Sequence, residues 1–115
     1  MQKKFALRAD QIKPFTRKPS YCTASDRITV NGRPVGFMYR ERGNNDNDSG
    51  WRFLAGDESE EFTANPDNFG IYALNTIANY DQSIIPLLDA APGSAFIRRT
   101  PTSDLVRDDQ WEAPE

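Results

Sequence analysis

Histidine is absent from the 115 residues, and Cys22 is the only cysteine. These absences remove the commonest general acid–base group, the usual serine and cysteine triads, and most zinc or iron sites. Cys22 stands in Tyr21-Cys22-Thr23-Ala24 with no second thiolate, and reads as a small buried hydrophobe. Glu58, Glu60 and Glu61 are close in sequence, yet no further carboxylate is spaced to face them across a scissile bond. They read as a solvated acidic face. Asp46-Asn47-Asp48-Ser49-Gly50 packs oxygen ligands densely, but the EF-hand spacing fails, because the fifth position is Gly50 and the twelfth is Asp57. Neither the dinucleotide glycine pattern nor a P-loop occurs. No cofactor, metal or catalytic residue is expected.

Charge is unevenly distributed. Residues 1–20 hold six bases and Asp10, a formal +5, whereas the other 95 residues sum to −8. Between positions 43 and 81, Arg52 is the only base against eight acids. A field of that sign repels nucleic-acid backbones and anionic membranes and favours a basic protein partner or toxin. The six N-terminal bases lack an aromatic platform, so nucleic-acid binding is not expected. No apolar run reaches bilayer length, and Arg8, Asp10 and Lys13 interrupt the stretch that a signal peptide would need. A cytoplasmic location is expected, and the lone cysteine agrees with it.

The elements available to position a site are short. The length fits one domain, read as a basic extension over 1–20 and a single α+β domain over 21–115. Within the extension, Phe5, Ala9 and Ile12 permit a helix over 4–12, ended by Pro14; a tail laid along the domain is the simpler reading. Arg27-Ile28-Thr29-Val30 alternates, and Asn31-Gly32 predicts a type I′ turn. The returning arm, 35–42, puts Val35, Phe37 and Tyr39 on one face, with Met38 and Arg40 on the other. Residues 43–49 form a flexible connection into a strand over 50–56. Asp57, with Glu60 three positions on, opens a short helix. Asn65 to Asn68 form a turn, and 69–74 a strand, although Leu74, Ile77 and Ala78 also suit a helix. Asp81 caps one or two helical turns that gather Ile84, Leu87 and Leu88, Pro92-Gly93 turns the chain, and 94–98 is a last strand. Leu105, Val106 and Trp111 can dock a terminal segment. The sum is a small, mainly antiparallel sheet of four or five short strands with one or two short helices.

A macromolecular partner is expected to meet the acidic stretch, at Asp46, Asp48, Asp57, Glu58, Glu60 and Glu61, with Trp51 or a neighbouring aromatic as the apolar anchor. Charge steers an encounter, and a desolvated aromatic supplies the affinity. The competing reading places Phe37, Tyr39, Trp51 and Phe53 in the core, with Trp51 the most exposed of the four.

Several blocks carry a resemblance: Cys22-Thr23-Ala24-Ser25-Asp26-Arg27, Val35-Gly36-Phe37-Met38-Tyr39-Arg40-Glu41, and Asp48-Ser49-Gly50-Trp51-Arg52-Phe53 with Gly56. A further block, Asn75-Thr76-Ile77-Ala78-Asn79-Tyr80-Asp81, runs into Ile85-Pro86-Leu87-Leu88-Asp89 and Gly93-Ser94-Ala95-Phe96. Across residues 20–99 the chain resembles the bacterial family first catalogued as domain of unknown function 2185 and later described as the immunity protein 33 domain. That family's signature lands on Gly50, Trp51 and Gly56. The resemblance implies a small α+β protein that inhibits a co-encoded toxin stoichiometrically, and it supplies no catalytic residue. The residues themselves leave open a structural or regulatory domain, or a small-ligand binding module.

Overall fold

Six strands form one mixed sheet in the computed structural model, which describes residues 3–112. They are β1 (Tyr21–Ser25), β2 (Phe37–Arg40), β3 (Asp48–Leu54), β4 (Phe69–Ala73), β5 (Ala95–Arg98) and β6 (Leu105–Arg107). The helices are α1 (Asp26–Thr29), α2 (Glu60–Ala64) and α3 (Leu74–Tyr80), with 3₁₀ turns at Ala9–Gln11, Pro66–Asn68 and Gln82–Leu87. The spatial order is β4-β1-β3-β2-β5-β6; β1 and β3 run parallel, and the other pairs are antiparallel. The α+β class and the predominance of antiparallel pairing hold. The strand count is six rather than four or five, and the sheet is mixed.

The expected hairpin at 27–42 is the main correction. Residues 26–29 form a helical turn, not a strand, because the chain supplies caps at both ends. Ser25 Oγ accepts the Arg27 N–H at 3.1 Å, the Val30 N–H reaches the Asp26 carbonyl at 2.8 Å, and Gly32 closes the turn at φ 74°. The Gly32 N–H returns to the Ile28 carbonyl at 3.0 Å. Asn31 does not adopt positive φ, so the Asn-Gly pair is a helix stop rather than a type I′ turn. The β-branched residues at 28 and 29 cost a few tenths of a kcal/mol each in a helix, whereas burying Ile28 contributes about 2 kcal/mol. Ile28 and Thr29 are both fully buried. Gly32→Ala is therefore expected to lower stability by about 1 kcal/mol through backbone strain alone. Its Cβ would meet only the Ala6 Cβ, at an ordinary 3.5 Å. A urea midpoint that does not move would contradict this.

The core lies on one face of the sheet. Cys22 and Ala24 of β1, Met38 of β2, Trp51 and Phe53 of β3 and Phe96 of β5 point into it. They meet Ile28 of α1, Leu74, Ile77 and Ala78 of α3, and Ile84 and Leu88 beyond. The spacing of Leu74, Ile77 and Ala78 is one helical stripe, so the strand read over 69–74 ends at Ala73 and the helical alternative wins from Leu74 onward. Asp81 caps the following 3₁₀ turn by accepting the Ser83 N–H at 3.0 Å, as expected. Ser59, not Asp57, caps α2.

Most of residues 3–20 run without a regular element along α3, in line with the simpler reading of a tail laid along the domain; of the helix permitted over 4–12 only the turn at Ala9–Gln11 forms. Asn75 and Asn79, one turn apart on α3, clamp this segment. The Asn75 side chain accepts the Phe15 and Thr16 N–H groups at 2.9 and 3.0 Å, and the Asn79 side chain accepts the Lys13 N–H at 2.8 Å. Lys3 reaches Asp26 at 2.8 Å, and Lys18 pairs with Asp89.

Candidate functional site

Residues directly opposed across a strand pair share a face, so the register reveals what lies on the side of the sheet away from α1 and α3. One rung crosses it as Ile71, Thr23, Arg52, Tyr39 and Ala95. The next runs Leu54, Phe37, Ile97 and Val106. Five large apolar side chains are exposed among the described residues, and three of them, Ile71 (77%), Tyr21 (48%) and Val106 (44%), share this outer face. Phe37 and Tyr39 also stand here, half-buried, with Trp111 packed on Tyr39 at 5.0 Å between ring centroids. The expectation that these two aromatics belong to the core is corrected. Alternation is as read, but Met38 takes the inward side of β2.

Two hollows indent the outer face. The larger, about 550 Å³, lies beyond the Leu54 end of β3, with Phe37, Leu54 and Ile97 among its apolar lining and Arg33, Arg99 and Asp57 among its charged lining. The smaller, about 180 Å³, is lined by Thr23, Tyr39, Arg52 and Phe69 among others. Leu54 and Thr63 line both. Thr63 belongs to α2, which buries none of its residues and rests Phe62 edge-on against Phe69 at 5.9 Å.

Arg52 anchors the centre of this face. Its guanidinium donates to both Asp48 oxygens at 2.9 Å and to Glu41 at 3.1 Å. The Arg52 bonds hold the Asp48 carboxyl well below the usual carboxylate range. Burial, followed by the neighbouring Glu41, raises the Tyr39 phenol above its ordinary value. Cys22, on the opposite face, is 1% exposed, and burial pushes its thiol up. Among the described residues no three His, Cys, Asp or Glu side chains gather as a potential metal set, and no helix is long and apolar enough to cross a membrane.

The sequence-predicted partner residues do not form one patch. Trp51 is fully buried, its indole N–H donating to the Leu88 carbonyl at 3.1 Å and its ring stacked on Phe53 at 6.1 Å. It is a core residue and cannot anchor a partner on the folded surface. Asp48 is tied to Arg52, and Asp57 to Arg27 at 2.7 Å. Glu58 accepts the Ala55 and Gly56 N–H groups at 2.8 and 2.9 Å. Asp46, Glu60 and Glu61 remain exposed. Asp46 precedes β3 while Glu60 and Glu61 follow it, so the length of the seven-residue strand, about 20 Å, intervenes. Tyr21, Ile71 and Val106 are surface residues that sequence reasoning missed, and their signal is register, which only the strand pairing supplies. Arg33 and Arg99 lie outside the strands, and only the folded chain brings them to one hollow.

Gly50, Trp51 and Gly56 likewise serve the fold. Gly50, at the start of the buried part of β3, and Gly56, two residues beyond the strand's end, adopt φ 86° and 96°. The model of the Immunity protein Imm33 domain matches residues 22–109. No curated protein and no solved structure matches the chain.

Proposed function

Since the chain belongs to the Imm33 immunity-protein family, we propose that it neutralises a cognate bacterial toxin in the cytoplasm by stoichiometric, non-catalytic binding through the outer sheet face. The observation that carries this reading is the exposure of Tyr21 and Ile71 on the adjacent strands β1 and β4 of one face, with Val106 on the same face at the opposite edge of the sheet. Neighbouring exposed apolar side chains favour a protein partner, whereas scattered ones carry no such meaning. Asp46, Glu60 and Glu61 at the rim favour a basic partner by steering its approach.

The test is to look for a toxin gene beside this one and to co-express its product with the chain. The wild-type chain is expected to restore growth and to elute with the toxin as a one-to-one complex. Tyr21→Asp with Ile71→Asp is expected to abolish protection while leaving the melting curve close to wild type, because both side chains are exposed. Glu60→Lys with Glu61→Lys is expected to slow association by about ten-fold at low salt. Full protection by the aspartate variant would remove the outer face from the mechanism. Toxin inactivated at catalytic amounts of the chain would remove stoichiometric binding.

A further inference from the structure

The larger hollow has a polarity opposite to that of the chain as a whole. Its acids are already engaged: Asp57 takes two N–H bonds from Arg27, at 2.7 and 3.2 Å, and Glu58 takes two backbone N–H groups. Arg98 is also fully occupied, donating to Val35, Ser103, Asp81 and Ser83. Two arginines of the lining differ. The Arg33 side chain makes only a 3.9 Å ion pair with Asp57, and the Arg99 side chain has no hydrogen bond or ion pair among the described residues. Both are exposed. The same hollow is lined by the apolar Phe37, Leu54 and Ile97 and by Thr63 of α2.

We infer that this cleft receives a segment of the partner protein that places a carboxylate at Arg33 and Arg99 and an apolar side chain on Phe37 and Ile97. The inference rests on the protein-binding reading above and names the chemistry of one anchor within it. Guanidinium donors recognise carboxylates through directed, charge-assisted bonds. A basic segment would meet two cations here, and the nearby acids are already paired. Leu54 and Thr63 line the second hollow as well, so an extended segment can reach across both hollows where a small molecule would occupy one. A partner that is basic overall is compatible with this, because long-range steering and a single desolvated contact are separate demands.

The test uses isotope-labelled full chain and two blocked hexapeptides, one alternating leucine with aspartate or glutamate, the other alternating leucine with lysine. The acidic peptide is expected to shift the amide signals of Arg33, Phe37, Ile97 and Arg99 to saturation, and the lysine peptide to leave them in place. Arg33→Ala with Arg99→Ala is expected to weaken the acidic peptide by about ten-fold, with an otherwise unchanged spectrum. Equal binding of the lysine peptide, shifts confined to other residues, or unaltered affinity in the arginine variant would overturn the assignment. Free glutamate saturating the same signals at the same concentration would replace the peptide segment with a small-carboxylate pocket. The titration contains no toxin. Its failure therefore overturns the cleft assignment alone, and failed protection with a retained titration overturns the toxin reading alone.

Discussion

Replacing Arg52 with alanine is expected to lower stability by about 3 kcal/mol at neutral pH, with the loss shrinking in acid. Arg52 holds both Asp48 oxygens, one Glu41 oxygen and the Trp51 carbonyl, with its side chain 11% exposed. Without it, Asp48, itself 14% exposed, keeps only the backbone N–H groups of Asn44 and Gly50. A carboxylate so enclosed bears its desolvation cost without a countercharge. The pH dependence follows from the direction of the Asp48 shift. Its folded pKa is depressed, chiefly by the Arg52 hydrogen bonds. Such a group adds stability above its unfolded pKa, about 3.9, and loses it as pH falls toward the folded value. The wild-type chain therefore loses this contribution below about pH 4. The alanine variant never had it, so the two stability curves converge on acidification. Arg52→Lys keeps the charge but not the planar fork, and should fall between them. Urea unfolding at neutral and acid pH decides the matter: a gap of constant size at both would sink the ion-pair account. Glu41, 36% exposed, is expected to contribute little by itself.

The same ion pairs explain why the acidic stretch misleads when read along the chain. Counting residues 43–81 sets eight acids against Arg52, but folding brings Arg27 to Asp57 and Arg98 to Asp81 from outside that window. Part of the segment's charge is therefore paired by residues that sequence distance hides, while Asp46, Glu60 and Glu61 stay exposed. Strand β3 is legible because Trp51 and Phe53 alternate with polar neighbours, a local signal of period two. The capped turn after Asp81 is legible for a similar reason, since cap and plug lie within eight residues. Asn31-Gly32 is ambiguous in principle. A glycine with positive φ closes both a type I′ turn and a helix, and the deciding signal, Ser25-Asp26, stands six residues earlier. The parallel β1–β3 pair and the three-residue β6 leave no comparable trace, because pairing across the sheet is set by burial of the whole face. The outer face is hidden for that reason too. Phe37 and Tyr39 have the composition of a core strand, and only the inward turn of Met38 sends them outward.

Gly50→Ala is expected to be the most damaging single methyl that can be added to this protein near its family signature, costing about 3 kcal/mol or more. Two independent demands meet at this residue. Its φ of 86° lies in the left-handed region, which alone costs an L-residue about 1–2 kcal/mol. A Cβ would also stand 2.0 Å from the Glu41 carbonyl oxygen and 2.9 Å from its carbon, both backbone atoms. The Gly50 carbonyl accepts the Glu41 N–H at 2.9 Å, so relieving the clash means prising β2 from β3 where they meet. That junction also sets Trp51, whose ring carries Phe53, Phe96 and the Arg40 guanidinium around it. Gly93→Ala separates the two contributions, because Gly93 has φ 94° but nothing within 4 Å of the added Cβ. It should show the conformational penalty alone, about 1–2 kcal/mol. Equal urea midpoints for the two variants would remove the steric argument. If Gly50→Ala is the larger, as expected, its failure to protect cells should track the unfolded fraction and should be partly recovered at lower temperature. The Tyr21 and Ile71 variants, folded but impaired in binding, should show no such recovery. On that outcome Gly50 and Trp51 act in this chain by building the junction of β2 and β3, and a loss of protection caused by Gly50→Ala reports on folding.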